Sequence, residues 1–149
     1  MKVFYVTNKK PRSHNKNGSS DSYKKGLQDE FQSKYAHLYQ DLPIKNTTLQ
    51  ARIICIHQFQ KGCVPDVDNI SKPIVDSFTG IIYEDDKLII RRIADILERK
   101  DFNMMMFEAT SMPLEIYQAF ETYYSNNEKH IIFYEVTDFL PSQIKIGEL

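Results

Sequence analysis

Asp66, Asp68, Lys72, Asp76, Asp85 and Asp86 crowd into one short span of this 149-residue chain. Two carboxylates at i and i+2 of an extended segment point to the same side, so Asp66 and Asp68 are placed to chelate one ion. Asp85 and Asp86 fall on a different element and offer a further oxygen ligand. Hard carboxylate oxygens with no His or Cys among them favour Mg²⁺, with Mn²⁺ as a substitute, over zinc. Carboxylates, a divalent ion and one lysine together suit phosphodiester hydrolysis. The ion lowers the pKa of the attacking water and neutralises charge building on the phosphate, and Lys72 adds a further positive charge to that transition state. With Asp68 at a helix start, Lys72 would also face it one turn later.

The same residues have a purely architectural reading. A D-x-D-N step serves as a helix cap, and Glu84-Asp85-Asp86 serves as a turn. Several other chemistries are excluded outright. An EF-hand loop starting at Asp66 would need an oxygen ligand where Ile70 stands and a glycine where Ser71 stands. No phosphate-binding glycine loop, nucleophile elbow or HExxH pair occurs. His14, His37, His57 and His130 are scattered, and His57, on an apolar strand, reads as a packed residue.

The elements that must hold the acidic span follow from local pattern. Residues 2–7, β-branched and aromatic, read as a short strand, and residues 8–20 as a polar loop rich in turn-formers. From Ser20 or Asp21, the apolar positions Tyr23, Leu27, Phe31, Tyr35 and Leu38 recur at helical spacing, which predicts a helix to about Asp41. Thr48 to Phe59 alternates as a long strand. Asp68 or Asn69 then caps a helix that ends at Gly80, with Pro73 near its first turn. Leu88–Leu97 and Phe102–Ala109 read as a strand and its hairpin partner. Pro113 opens a helix in which Tyr117, Phe120 and Tyr124 are core positions, and Ile131–Val136 is a last strand. The order β-α-β-α-β-β-α-β predicts a small α+β domain, a mixed β-sheet with packed helices, rather than alternating βαβ units.

Composition agrees with one such domain. The chain is 42% apolar, too rich in core formers for a disordered protein, and no linker divides residues 1–149. No run approaches the ~18 apolar residues of a membrane span, the amino-terminal apolar patch is too short for a signal-peptide core, and Cys55 and Cys63 are too few for a disulfide scaffold. A cytoplasmic protein with no membrane partner is the expectation. The net charge of −1 argues against a protein that simply coats nucleic acid. Its distribution is uneven: residues 1–26 hold Lys2, Lys9, Lys10, Arg12, Lys16, Lys24 and Lys25 against Asp21 alone, whereas residues 64–101 are tilted to acid. One end suits phosphates and another suits a cation.

Residues 65–86, P-D-V-D-N-I-S-K-P-I-V-D-S-F-T-G-I-I-Y-E-D-D, closely resemble the signature of the RusA-like Holliday-junction resolvases, approximately P-D-x-D-N-x-x-K-x-x-x-D-x-x-x-G-x-x-x-x-D-D. Asp66, Asp68, Asn69, Lys72, Asp76, Gly80, Asp85 and Asp86 all fall in place. The resemblance implies a homodimeric, Mg²⁺-dependent endonuclease that nicks a four-way DNA junction symmetrically, leaving 5′-phosphate and 3′-hydroxyl ends. It further implies that Asp66, Asp68 and Asp86 bind metal, with Asp85 as the fallback ligand, and that Lys72 is the catalytic lysine. Asn69 would cap or brace the site and Asp76 would order the helix. The loop 8–18 lies where that family approaches DNA, which makes Lys9, Lys10, Arg12, Asn15 and Lys16 candidate phosphate contacts. The motif-bearing region spans about 1–109, and about 110–149 forms a helix-strand extension outside it.

The leading expectation is therefore a structure-selective DNA endonuclease of recombination or repair acting on branched DNA. A non-catalytic branched-DNA-binding or adaptor protein on the same scaffold is the alternative, and an interaction module dominated by residues 110–149 is a third.

Overall fold

Val3 to Thr7 are all buried in the first strand, β1 (Lys2–Thr7), as its β-branched and aromatic composition leads one to expect. A computed structural model describes residues 1–13, 20–101 and 109–147 of the chain. After β1 come α1 (Ser20–Lys34), β2 (Leu49–His57), α2 (Val67–Ser77), β3 (Ile89–Glu98), α3 (Leu114–Ser125) and β4 (Ile131–Asp138). The small α+β domain is the expected one. The hairpin partner expected at Phe102–Ala109 falls, but for Ala109 itself, outside the described residues, and Ala109 opens a short 3-10 turn.

The four strands form one mixed sheet in the order β1-β4-β2-β3. β4 runs antiparallel to both of its neighbours, and Tyr134 stands between Tyr5 of β1 and Ile53 of β2. The helix and strand of the 110–149 extension are thus α3 and β4, and β4 occupies the interior of the sheet rather than its edge. β2 and β3 are parallel, so the chain must cross over between them. That crossover is α2 with the turn that follows, and it carries the whole acidic span.

Neighbouring strand residues point to opposite faces, and the aromatic contacts show what covers each. Tyr5 meets Phe31 of α1 and, at 5.1 Å between ring centroids, Phe78 just past α2. Phe78 also stacks on Tyr134. From the other face Phe4 meets Phe133, which packs edge-on against Phe120 of α3. Helices α1 and α2 therefore share one face and α3 covers the other.

Helices α1 and α3 depart from the sequence pattern, the first in where it ends and the second in which face it buries. α1 stops at Lys34 rather than near Asp41, and a 3-10 turn at Ala36–Leu38 redirects the chain. The redirection lets the Tyr39 hydroxyl accept from the Phe4 N–H (2.8 Å) and donate to the Phe4 carbonyl (3.0 Å) on the outer side of β1, which satisfies an otherwise bare sheet edge. In α3 the buried stripe is Ile116 and Phe120. Tyr117 and Tyr124 are not core positions as expected; they flank that stripe on the exposed side. Tyr124 serves as a ledge for Arg99, whose guanidinium lies 4.9 Å from its ring and donates to its carbonyl. His57 is a packed residue, its Nδ1 accepting the Phe59 N–H. Among the described residues no helix is long and apolar enough to cross a membrane.

Candidate active site

The start of α2 is set by Asp66. Its backbone is extended (φ −63°, ψ 151°) and its carbonyl accepts the Ile70 N–H at 3.1 Å, so the helix begins at Val67, before either expected cap, Asp68 or Asn69. The Asp66 carboxylate makes no capping bond. Pro73 lies mid-helix, not near the first turn, and leaves the Asn69 carbonyl without an N–H four residues on. Helical spacing turns Ile70, Ile74 and Ser77 into the core. Asp68, Lys72, Val75 and Asp76 share another face and line one cleft.

Past the helix the chain doubles back through a turn in which Gly80, at φ +81°, donates its N–H to the Tyr83 carbonyl at 2.7 Å. A left-handed φ of this kind suits glycine. The helix itself ends three residues earlier than expected, at Ser77. Ile44 braces the turn by pairing with the Ile82 carbonyl and the Glu84 N–H. Beneath, the buried Tyr83 hydroxyl donates to the Val75 carbonyl of α2 and lies 2.8 Å from the Tyr134 hydroxyl on β4. Burial pushes both phenols above their ordinary value, so they remain protonated and tie the turn to the helix and to the interior strand. Asp86 follows three residues after this anchor.

The cleft holds about 480 Å³. Asp68, Lys72 and Asp76 enter it from α2, Asp86 from the turn, and Arg92 from β3, above an apolar floor that includes Val75 and Ala94. Lys72 does not pair back to Asp68 as its spacing suggested. Its Nζ lies 3.2 Å from Asp76, which Lys24 of α1 also approaches at 3.9 Å. Asp76 thereby joins α1 to α2, a structural task consistent with ordering the helix. Asp68 instead meets Arg92 at 3.3 Å. Arg92 and Lys24 were missed from sequence; a basic residue on a strand gives no local sign of which cleft it will face.

The remaining candidates lie around this centre. Asp66 is exposed in the extended stretch before α2 and does not line the cleft. Asp85 is turned to a 3-10 turn at Asp86–Leu88, accepting the Lys87 N–H at 2.9 Å, and that hydrogen bond holds its carboxyl below the usual value. Asn69 is half-buried on the first turn of α2. Lys10 and Arg12 line a second groove with Tyr23, Phe59 and Pro65, while the Lys9 N–H donates to the Thr7 hydroxyl. Asn15 and Lys16 lie outside the described residues.

For a divalent cation, the donor set of the cleft is of the right kind: carboxylate oxygens, with no His or Cys among the described residues that line it. Among the described residues, however, no three such side chains are gathered into a ready-made cage. Asp68 and Asp86 are the two expected ligands that share the cleft, and Asp66 stands off from it.

The family model described as Endodeoxyribonuclease RusA matches residues 5–103. The chain belongs to the RusA endodeoxyribonuclease family. It is a family of nucleases that act on branched DNA and resolve Holliday junctions, and the mixed sheet with three helices agrees with a RusA-like fold. The RusA match contains the acidic crossover whole and ends before α3 and β4, so one of the sheet's two interior strands, β4, lies beyond it. No curated protein matches the chain significantly.

Proposed function

We propose that this RusA-family chain is a divalent-metal-dependent, structure-selective endonuclease that resolves four-way DNA junctions by paired hydrolysis of opposed strands, acting as a homodimer in recombination or repair. The observation that carries this reading is the cleft that brings Asp68, Lys72 and Asp86 together from α2 and the turn after it. Two equivalent sites across a two-fold axis suit a junction with approximate two-fold symmetry.

Metal binding is assigned to Asp66, Asp68 and Asp86, with Asp68 and Asp86 favoured by their shared cleft and Asp85 the fallback. Mg²⁺ or Mn²⁺ held there would supply charge neutralisation at the phosphate and a more acidic water. The chain's own residues do the rest. Lys72, held in place by Asp76, presents a positive charge to the phosphate that gains charge in the transition state. Arg92 adds a second cation on the facing wall. Lys9, Lys10, Arg12, Asn15 and Lys16 would engage backbone phosphates away from the reacting bond, which positions the DNA without reading its sequence.

The test is a nuclease assay on four-way junctions, forks, flaps and linear duplex, with Mg²⁺ and with chelator. Paired nicks in the four-way junction that require the metal are expected. Equal binding to branched DNA with or without the ion, and no cleavage with either Mg²⁺ or Mn²⁺, would leave a non-catalytic DNA-binding protein instead.

A further inference from the structure

Away from the acidic cleft, where β2 ends and β4 begins, three rings meet. Phe59 lies 4.9 Å from the His130 imidazole and 5.3 Å from that of His57, measured between centroids. His57 is buried and backs the cluster, whereas Phe59 and His130 are half-exposed. The Lys10 ammonium stands 5.4 Å from the centre of the Phe59 ring. Two grooves, of about 610 and 540 Å³, meet at Phe59 and share Lys10 and Cys63. Each is large enough for a nucleotide.

The charged side chains that line the two grooves have one sign, while Glu98 acts only on the buried His57 behind them. Lys10 and Arg12 line one groove and Lys10 and Lys129 the other, and among the described residues no carboxylate lines either, in contrast to the three aspartates of the catalytic cleft. Flat rings beside cations are what single-stranded nucleic acid uses: bases stack on the rings while phosphates track the charges. Burial and the nearby Lys10, His57 and Lys129 push the His130 imidazole below its ordinary value. It is accordingly a neutral ring at physiological pH, fit to stack rather than to add charge.

We propose that Phe59 and His130 form a stacking platform for one unpaired nucleobase of the branched DNA, with Lys10 and Lys129 taking the flanking phosphates. This inference rests on the nuclease reading and deepens it by naming where the substrate opens. Lys10 yields the ring face to the base by swinging its flexible stem toward a phosphate. Pro65 lines the groove immediately before Asp66, so a nucleotide on the platform is held beside the start of α2. His130 and Lys129 lie beyond the segment matched to the RusA family, which makes the platform a feature of this chain's own β4 entry.

The chain contains no tryptophan, so Phe59→Trp places a single fluorescent reporter on the platform. In chelator, saturating single-stranded oligothymidylate should quench that tryptophan, and a blunt linear duplex of equal length should quench it far less. Phe59→Ala should weaken oligothymidylate binding about tenfold and leave duplex binding unchanged. Unquenched fluorescence while labelled oligothymidylate binds to saturation, no binding of oligothymidylate at all, or unaltered affinity in Phe59→Ala would each overturn the proposal. Cleavage is not needed for this readout. If the wild-type protein cuts no junction yet quenching persists, the nuclease reading fails and the platform stands; if junctions are cut without quenching, the platform alone fails.

Discussion

The Arg92 guanidinium on β3 lies 3.3 Å from the Asp68 carboxylate at the start of α2, so a cation from one wall of the cleft neutralises an acid from the other. Most of the Asp68 side chain is exposed, at 84%, and a solvent-screened pair of this kind opens at little cost. Under the proposed function the contact is a placeholder: a divalent ion would compete with Arg92 for Asp68, and a released Arg92 would remain in the cleft to meet a phosphate.

Competition of this kind makes Arg92→Gln informative. Divalent-ion affinity, read by calorimetry with Mn²⁺, should rise about twofold to fivefold once the competing cation is gone. Junction cleavage at saturating metal should fall, because the cleft has lost a charge aimed at the phosphate. Unchanged affinity together with unchanged cleavage would show that the pair plays no part in the site.

Tyr83 offers a test of how the acidic turn is anchored. Tyr83→Phe removes the hydroxyl that serves the Val75 carbonyl and meets the Tyr134 hydroxyl. Leaving those buried groups with one partner fewer should lower stability by about 1–3 kcal/mol, measured by urea unfolding. Because the same hydroxyl fixes the approach to Asp86, cleavage should fall beyond what the loss of folded protein explains. A variant as stable and as active as the wild type would mean that the turn is held by its backbone alone.

The crossover was legible in sequence because its outline is local: an extended Asp66, the helical spacing from Asp68 to Asp76, Gly80 at its turn; its distant braces, Ile44, Tyr134 and Lys24, were not. What sequence withheld was decided by distant partners. Asp68 and Arg92 meet only because β2 and β3 pair in parallel, a register no local pattern encodes. The place of β4 between β1 and β2 is likewise a matter of strand order, and a helix and strand that follow the recognisable motif read naturally as an appendix. Tyr35 and Leu38 continued the helical spacing of α1, yet the demand of the bare β1 edge for Tyr39 ended the helix first. Tyr117 and Tyr124 kept the spacing of core residues around Phe120 but fell on the exposed flank of a stripe of only two buried residues, Ile116 and Phe120.

His57 and His130 give the fold a signed pH dependence. Burial lowers both imidazoles below their ordinary 6.5, and Glu98 only partly offsets this at His57. The unfolded chain then takes up protons before the folded one, so the stabilisation is complete above about pH 6.5 and is lost as pH falls through the lower folded values. The urea midpoint should drop between pH 7.5 and pH 5.5, and the double variant His57→Gln, His130→Gln should flatten that drop. A midpoint that holds or rises on acidification, or a double variant with the wild-type slope, would contradict the assignment.

The central claim is tested most directly by Asp68→Asn on a synthetic four-way junction, with cleavage followed in Mg²⁺ and binding followed in chelator. The substitution removes a charge with little change in volume. The wild-type protein should nick opposed strands while the variant binds the junction as well and cuts it only at background. A variant that cuts at the wild-type rate, or a wild-type protein that cuts no junction in Mg²⁺ or Mn²⁺, would contradict the account.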